Sequence, residues 1–469
     1  MGENIPTAME DPRARHERLV ALDRAHVWHP FTQMQDWLTP AEGDEPIVID
    51  HARGVWLFDT LGRKYLDGVS SLWVNVHGHR KAEIDSAIRL QLQKVAHTTL
   101  LGLASPPSIE LAAELVRRAP RFEEQPQLNK VFFSDSGSTA VEVALKIAFQ
   151  RWRQRGKPKK SRFVALGEAY HGDTIGSVSL GGMDLFHQMF QPLLFEVLRV
   201  PTPYAYRWPT GPRHCLEAAA LAAAAVISGR RDEIAAVILE PVMQGAAGMI
   251  AHPPGYLRRI AKACRDNGVL LICDEVATAF GRTGTMFACE QEEVVPDILC
   301  LAKGLSGGYL PVAATITTDA IYESFLGPFD SKKTFFHGHS YTGNPLACAA
   351  ALASLHLFDE ERTLTHVRQM AERLATGLKS VAKLKQVGDI RQRGLMIGIE
   401  LVKDRATKEP YAYGDRIGHR VCLAARKREL MLRPLGNIVV VMPPLGIAAA
   451  EVDLLLDALH ASIKEVTEA

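Results

Sequence analysis

Short apolar runs alternate with longer stretches of helical periodicity through the middle of the chain. Lys130–Phe133, Arg162–Leu166, Ala235–Leu239, Val269–Cys273 and Ile298–Ala302 read as buried strands. Each leads into a loop bearing Gly, Asp or Ser, and then into a segment whose apolar residues recur with a helical period. That alternation predicts an α/β fold on a mainly parallel sheet. In such sheets ligands sit beyond the carboxyl ends of the strands, so chemistry is expected in the loops after these runs. Earlier in the chain, VWLFDTLGRKYLDG (residues 55–68) reads as a hairpin broken at Asp59 and Gly62. From Asn344 onward the pattern changes to long helices, followed by short strands near Gly394–Val402 and Ile438–Met442. The expected organisation is a large α/β domain over residues 81–343, with a smaller α+β domain formed by residues 344–469 and an N-terminal segment, 1–80.

Composition then removes several classes. The 469 residues are 47% hydrophobic and carry 54 basic against 53 acidic side chains. A disordered chain would be less apolar or more highly charged. A formal charge of +1 exerts no global pull on nucleic acid or an anionic membrane. RWRQRGKPKKSR (151–162) is basic, but it reads as the solvated end of a helix that begins near Thr139. The seven cysteines are odd in number, scattered and never spaced C-x-x-C, which indicates reduced thiols, not a disulfide framework or zinc site. His77, His79, His337 and His339 lack the acidic partners of a metal motif and read as loop histidines. The longest wholly apolar run, Ala218–Ile227, is far short of the roughly 20 residues that span a bilayer. MGENIPTAMEDPRARHERLV lacks the apolar core of a signal peptide. The expectation is a cytoplasmic enzyme with small-molecule partners.

Three loops carry candidate chemistry. In SDSGSTAVEVALKIAFQRW a strand runs through Asp135-Ser136-Gly137-Ser138 straight into a helix, whose free N–H groups make a ready anion site. In GVLLICDEVATAFGRTG, Asp274 follows a buried strand, where a carboxylate is costly unless a cationic group meets it. In PDILCLAKGLSGG, Lys303 closes another apolar run and could be a desolvated amine able to form a Schiff base. Each alone has an ordinary structural explanation. Together they fit pyridoxal phosphate, which needs a phosphate cradle, an acid at its ring nitrogen and a lysine for its aldehyde.

DEVATAFGRTG followed by DILCLAKGLSGG resembles the signature of the class III pyridoxal-phosphate aminotransferases. The likeness extends through SDSGSTAVE, AYHGDT, ILEPVMQGAAGM and HSYTGNPLACAAA, hence along nearly the whole chain. HVWHPFTQM and LRPLGNIVVVMPP resemble the branch of that family that aminates 8-amino-7-oxononanoate to 7,8-diaminononanoate in biotin biosynthesis. The resemblance implies the type I, aspartate-aminotransferase-like fold and a homodimer with shared active sites. It makes Lys303 the lysine that binds the cofactor and moves the proton, and Asp274 the partner of the pyridinium nitrogen. Gly137 and Ser138 would hold the phosphate, with His339 and Ser340 contributing across the subunit interface. Tyr170 would stack on the ring and touch substrate, and Gly338 would lend backbone to a neighbour's pocket. Arg433 would grip the distant carboxylate of the oxononanoate, a bidentate task suited to arginine. Phe31, Leu72 and Trp73 would line the amino-donor pocket, while Glu240 and Arg282 match motif positions near the site.

Departures from the family pattern bear on the donor. Phe31 stands where adenosylmethionine-using members usually have tyrosine, and Leu72 where they have tryptophan. His339, Ser340 and Val440 replace proline, threonine and tyrosine. The lost hydroxyl and aromatic contacts favour lysine over adenosylmethionine as donor, with Asp173 as the ammonium's partner. The alternative within the family is an ω-aminotransferase acting on another diamine or ω-amino acid. A serine hydrolase is disfavoured, because Thr342 occupies the final glycine position of G-x-S-x-G in Gly338–Thr342.

Overall fold

The computed structural model describes residues 10–468. Its centre is a seven-stranded sheet. In chain order the strands are β1 (Leu128–Ser134), β2 (Arg162–Leu166), β3 (Leu198–Val200), β4 (Ile234–Leu239), β5 (Leu270–Asp274), β6 (Ile298–Leu301) and β7 (Ala313–Thr318). They lie side by side in the order β1-β7-β6-β5-β4-β2-β3. Pairing is parallel from β6 to β3, and β7 runs antiparallel to both of its neighbours.

Both faces of the sheet are covered, which is why its central strands are almost continuously apolar. Every residue of β4, β5 and β7 is buried. Side chains alternate across a strand, so one strand serves two cores. Val237, Leu239, Leu271 and Cys273 enter the larger core, while Ala236, Ile238, Leu270 and Ile272 enter the one under helix Gly137–Gln154. That helix lies over β6 and β7.

All five expected strands are present within a residue or two of their expected limits, and two more were not read from the pattern. β3 is too short to show a period. β7 (AATITT) reads as polar, yet its threonines are buried because their hydroxyls find acceptors. Thr315 Oγ1 donates to the Ala140 carbonyl at 2.8 Å and Thr317 Oγ1 to the Asp297 carbonyl at 3.1 Å.

The expected hairpin forms from Trp56–Asp59 and Lys64–Asp67. Buried Asp59 closes its turn, accepting from the N–H groups of Leu61 and Arg63 at 3.0 and 2.9 Å. This N-terminal sheet is completed by a C-terminal strand, Leu430–Met431, parallel to Lys64–Asp67. A second sheet is built on Met396–Asp404, flanked by Val387–Arg393 and Ile438–Val441, with Arg433–Leu435 beyond. Among the described residues no helix is long and apolar enough to cross a membrane. All seven cysteines are buried and unpaired.

Leu66 is 2% exposed on the strand that joins the two ends of the chain. We expect Leu66→Ala to lower stability by about 2–5 kcal/mol through lost burial and an unfilled cavity, read as a fall in the midpoint of thermal or denaturant unfolding. A loss below about 1 kcal/mol would show that this junction repacks freely.

Candidate active site

The carboxyl ends of five strands of the large sheet converge on one cavity of about 480 Å³. Asp274 is the last residue of β5, and Lys303 follows β6. Because β5 and β6 are parallel, with Asp274 opposite Cys300, the two loops leave the sheet side by side. Glu240 follows β4, Tyr170 and His171 follow β2, and Ser136–Ser138 follow β1; all line the same cavity. Parallel topology thereby gathers residues far apart in the chain.

Asp274 is 4% exposed, and its Oδ2 lies 2.6 Å from His171 Nδ1. Its Oδ1 accepts from the Val276 N–H at 3.1 Å. A carboxylate can accept about four hydrogen bonds, so capacity remains for a cationic group in the cavity. Nearby Glu240 accepts from the N–H groups of Gly245 and Tyr170 at 2.8 and 3.3 Å. Burial, aided by the neighbouring Asp274 charge, nevertheless pushes its carboxyl up to about 7. The Lys303 amine is pulled below its ordinary range by burial, against the opposing pull of Asp274 and Glu240. Its Nζ lies 4.8 Å from the centre of the Trp73 ring.

Helix Gly137–Gln154 points its N-terminus at the cavity. Ser136 caps it, accepting from the Thr139 N–H, and Gly137 and Ser138 begin its first turn. Close approach excludes larger residues here: a Cβ on Gly137 would lie 2.5 Å from Val276 Cγ1, and one on Gly172 would lie 2.2 Å from Ser138 Cβ. On the opposite flank, Trp73 ends a kinked turn in which Ser70, Ser71 and Trp73 have φ of 51°, 60° and 64°. Left-handed backbone costs non-glycine residues about 1–2 kcal/mol each, so this turn is held by its surroundings.

Most residues singled out from sequence are brought together. Lys303, Asp274, Gly137, Ser138, Tyr170, Phe31, Leu72, Trp73 and Arg433 all line the cavity. Gly338, His339 and Ser340 do not. Gly338 and Ser340 are exposed, and His339 Nδ1 stands 2.9 Å from Asp135, which does line it. Arg282 is buried, but its guanidinium donates to the carbonyls of Pro443 and Asn75 at 2.6 and 2.9 Å. Sequence reasoning missed His171 and Phe186. His171 lies inside the quoted AYHGDT, but nothing local pairs it with a carboxylate 103 positions away. Phe186 has no sequence signal; it stands 5.6 Å from Phe31 and 6.4 Å from Tyr170, ring centre to ring centre.

These features fit pyridoxal phosphate. An amine shifted by burial, a buried carboxylate with acceptor capacity and a tightly packed helix N-terminus face one cavity. With the strand order above, they define a pyridoxal-phosphate transferase of fold type I.

The comparisons with known proteins narrow that class. Residues 39–463 match the family description aminotransferase class III. The chain is 56% identical over 459 residues, 97% of its length and 83% of the relative's, to adenosylmethionine-8-amino-7-oxononanoate aminotransferase of Nitratidesulfovibrio vulgaris. A crystal structure of the protein of that name from Methanocaldococcus jannaschii superposes with a TM-score of 0.90 at 44% identity, covering 96% of this chain and 99% of that one. The ω-transaminase of Pseudomonas jessenii, solved in complex with PMP, matches with a TM-score of 0.90 at 31% identity over 96% of this chain and 98% of that one. The chain belongs to the class III aminotransferases, which are pyridoxal-phosphate-dependent enzymes.

Lys303→Ala should leave a folded protein that cannot be covalently linked to the cofactor. After borohydride reduction of wild type, mass spectrometry should find the adduct on the peptide containing Lys303, and an adduct on another lysine would refute its role. Glu240 gives a prediction that needs no cofactor. Its folded pKa of about 7 exceeds the ordinary 4.5, so the native state holds the proton longer than the unfolded chain. Stability from this group therefore falls as pH rises from about 4.5 to about 7, by at most ~3.4 kcal/mol. The difference in melting temperature, Glu240→Gln minus wild type, should grow in the variant's favour across that window. A flat difference would place an unperturbed carboxyl at this position.

Proposed function

We propose that this chain transfers an amino group to 8-amino-7-oxononanoate, giving 7,8-diaminononanoate for biotin synthesis, with adenosylmethionine as donor. Arg433 carries the reading. It lines the cavity that holds Lys303 and Asp274, is part-buried, and stands where an extended substrate's far carboxylate could meet a guanidinium. The names of relatives 35–56% identical to the chain support the same acceptor and the same donor.

Lys303, Asp274, Gly137 and Ser138 would hold pyridoxal phosphate, which when bound would supply an aldehyde and an electron sink. The residues supply the rest. Asp274 would pair with the cofactor's ring nitrogen, and His171 fixes the orientation of that carboxylate. Lys303 Nζ, its basicity trimmed by burial, takes the proton from the donor's α-carbon and returns it elsewhere. Tyr170 walls the cavity, its hydroxyl donating to Asp173 at 2.8 Å.

That last bond bears on the donor. The reading in favour of lysine needs Asp173 for the distant ammonium; the Tyr170 hydroxyl takes one of its acceptor sites and leaves others, so the names of the relatives decide the donor here. Phe31, Trp73, Tyr170 and Phe186 supply aromatic faces suited to a sulfonium and an adenine. The reading includes a homodimer in the cytoplasm. Phe329 (99% exposed) and Phe336 (81%) precede Gly338, His339 and Ser340 in the chain, and a second copy would cover them while bringing that segment to its own phosphate site. Domain limits at 80/81 and 343/344 belong to the same reading.

Offered separately to the cofactor-loaded enzyme, adenosylmethionine should bleach the visible band and lysine should not. Bleaching by lysine alone would reverse the donor assignment. Arg433→Met should raise KM for 8-amino-7-oxononanoate by about 10–100-fold, the worth of a lost charge-assisted pair. The donor half-reaction should change little. An unchanged acceptor KM would mean that this arginine does not meet the carboxylate.

A further inference from the structure

Trp73 presents an anomaly. Its ring lies 4.8 Å from the Lys303 ammonium on one side, and on another a Cβ at Gly245 would approach it to 3.3 Å. Yet its own polar atom, Nε1, is buried without a hydrogen-bond partner among the described residues. A buried indole usually finds an acceptor. No polar contact anchors this ring, so its placement rests on apolar packing against a cluster that includes Val69, Met243 and Val440, and on the backbone that carries it. That backbone is the left-handed turn Ser70–Trp73, which such residues do not adopt unaided.

The turn is clasped from one side by Asp67, which has no exposed surface. Asp67 Oδ1 accepts from the Ser71 N–H at 2.8 Å, and Oδ2 accepts from the Ser71 hydroxyl at 3.0 Å and stands 3.0 Å from His79 Nε2. From the other side, the Ser70 hydroxyl donates to the Met442 carbonyl at 2.6 Å. Asp67 itself does not line the cavity. We propose that Asp67 is a positioning residue: by holding both donors of Ser71 it maintains the left-handed turn that seats the Trp73 ring against the Lys303 ammonium. The proposal rests on Lys303 being the reactive amine.

A ring face next to an ammonium favours its charged form. The other charged groups facing Lys303 are Asp274, Glu240 and Asp173, which also favour it, and Arg282, which opposes it. Asp67 lies within electrostatic reach of Arg282, so a change of charge at Asp67 must be separated from a change of ring position.

The test uses cofactor-free protein, labelled with trace acetic anhydride over a range of pH, with acetylation of the Lys303 peptide quantified by mass spectrometry. In Asp67→Asn and in Trp73→Leu the pH midpoint of Lys303 labelling should fall by about half a unit to one unit. The double variant should fall no further than Trp73→Leu alone, because the two changes act through one contact. Ser71→Ala, which removes one clasp bond and leaves every charge in place, should shift the midpoint in the same direction by less. It serves as the test should Asp67→Asn fail to fold. Additive shifts in the double variant, or an unmoved midpoint in a folded Asp67→Asn or Ser71→Ala protein, would overturn the proposal while leaving Lys303 in its role. If Lys303 shows no titrating label in the parent protein, the reading of the amine itself falls, and this proposal with it.

Discussion

A carboxylate and an amine share a cavity in which neither is well solvated, and much of the site's design manages that cost. Asp274 is held by His171 and by the Val276 N–H, so its charge is oriented before any ligand arrives. Lys303 loses basicity to burial while acidic neighbours pull it back. Glu240 yields instead, its carboxyl pushed up to about 7. Burial thus lowers the Lys303 amine and raises the Glu240 carboxyl within one pocket, bringing both toward neutral pH.

Such an arrangement requires a rigid frame. β4 and β5 are buried on both faces, and alternate residues lock into two separate cores, so the loop bases cannot shift independently. Local irregularity is confined to where the cavity needs it. Lys303 itself has φ of 41°, and the Ser70–Trp73 turn supplies further left-handed residues. Glycines at 137 and 172 allow the loops after β1 and β2 to close on each other and on Val276. Regular strands provide stiffness, and the strained loops spend some of it to aim side chains.

The two ends of the chain meet through a parallel pairing of Leu430–Met431 with Lys64–Asp67. The same junction brings Arg433 and the Ser70–Trp73 turn to one cavity, although they are hundreds of positions apart in sequence. Pocket composition on this flank is therefore a property of the assembled small sheets and of no single segment.

By itself the sequence determined the α/β class and the position of the buried strands, and it singled out Lys303, Asp274 and the Ser136–Ser138 loop, which the structure brings to one cavity. Those features are local: an apolar run, the loop after it and a helix start are each written within a dozen or so residues. It did not disclose β7, because buried threonines look polar until their acceptors are in place, nor the strand that joins the termini, because only two residues pair there. Only the tertiary structure decided that His171 orients Asp274, that Phe186 joins the aromatic wall, and that Asp173 is already engaged by Tyr170. It also left Gly338 and Ser340 outside this chain's own cavity. Periodicity and spacing report what a residue's chain neighbours require of it, whereas these contacts arise between segments that meet only when the sheet and its two cores have formed.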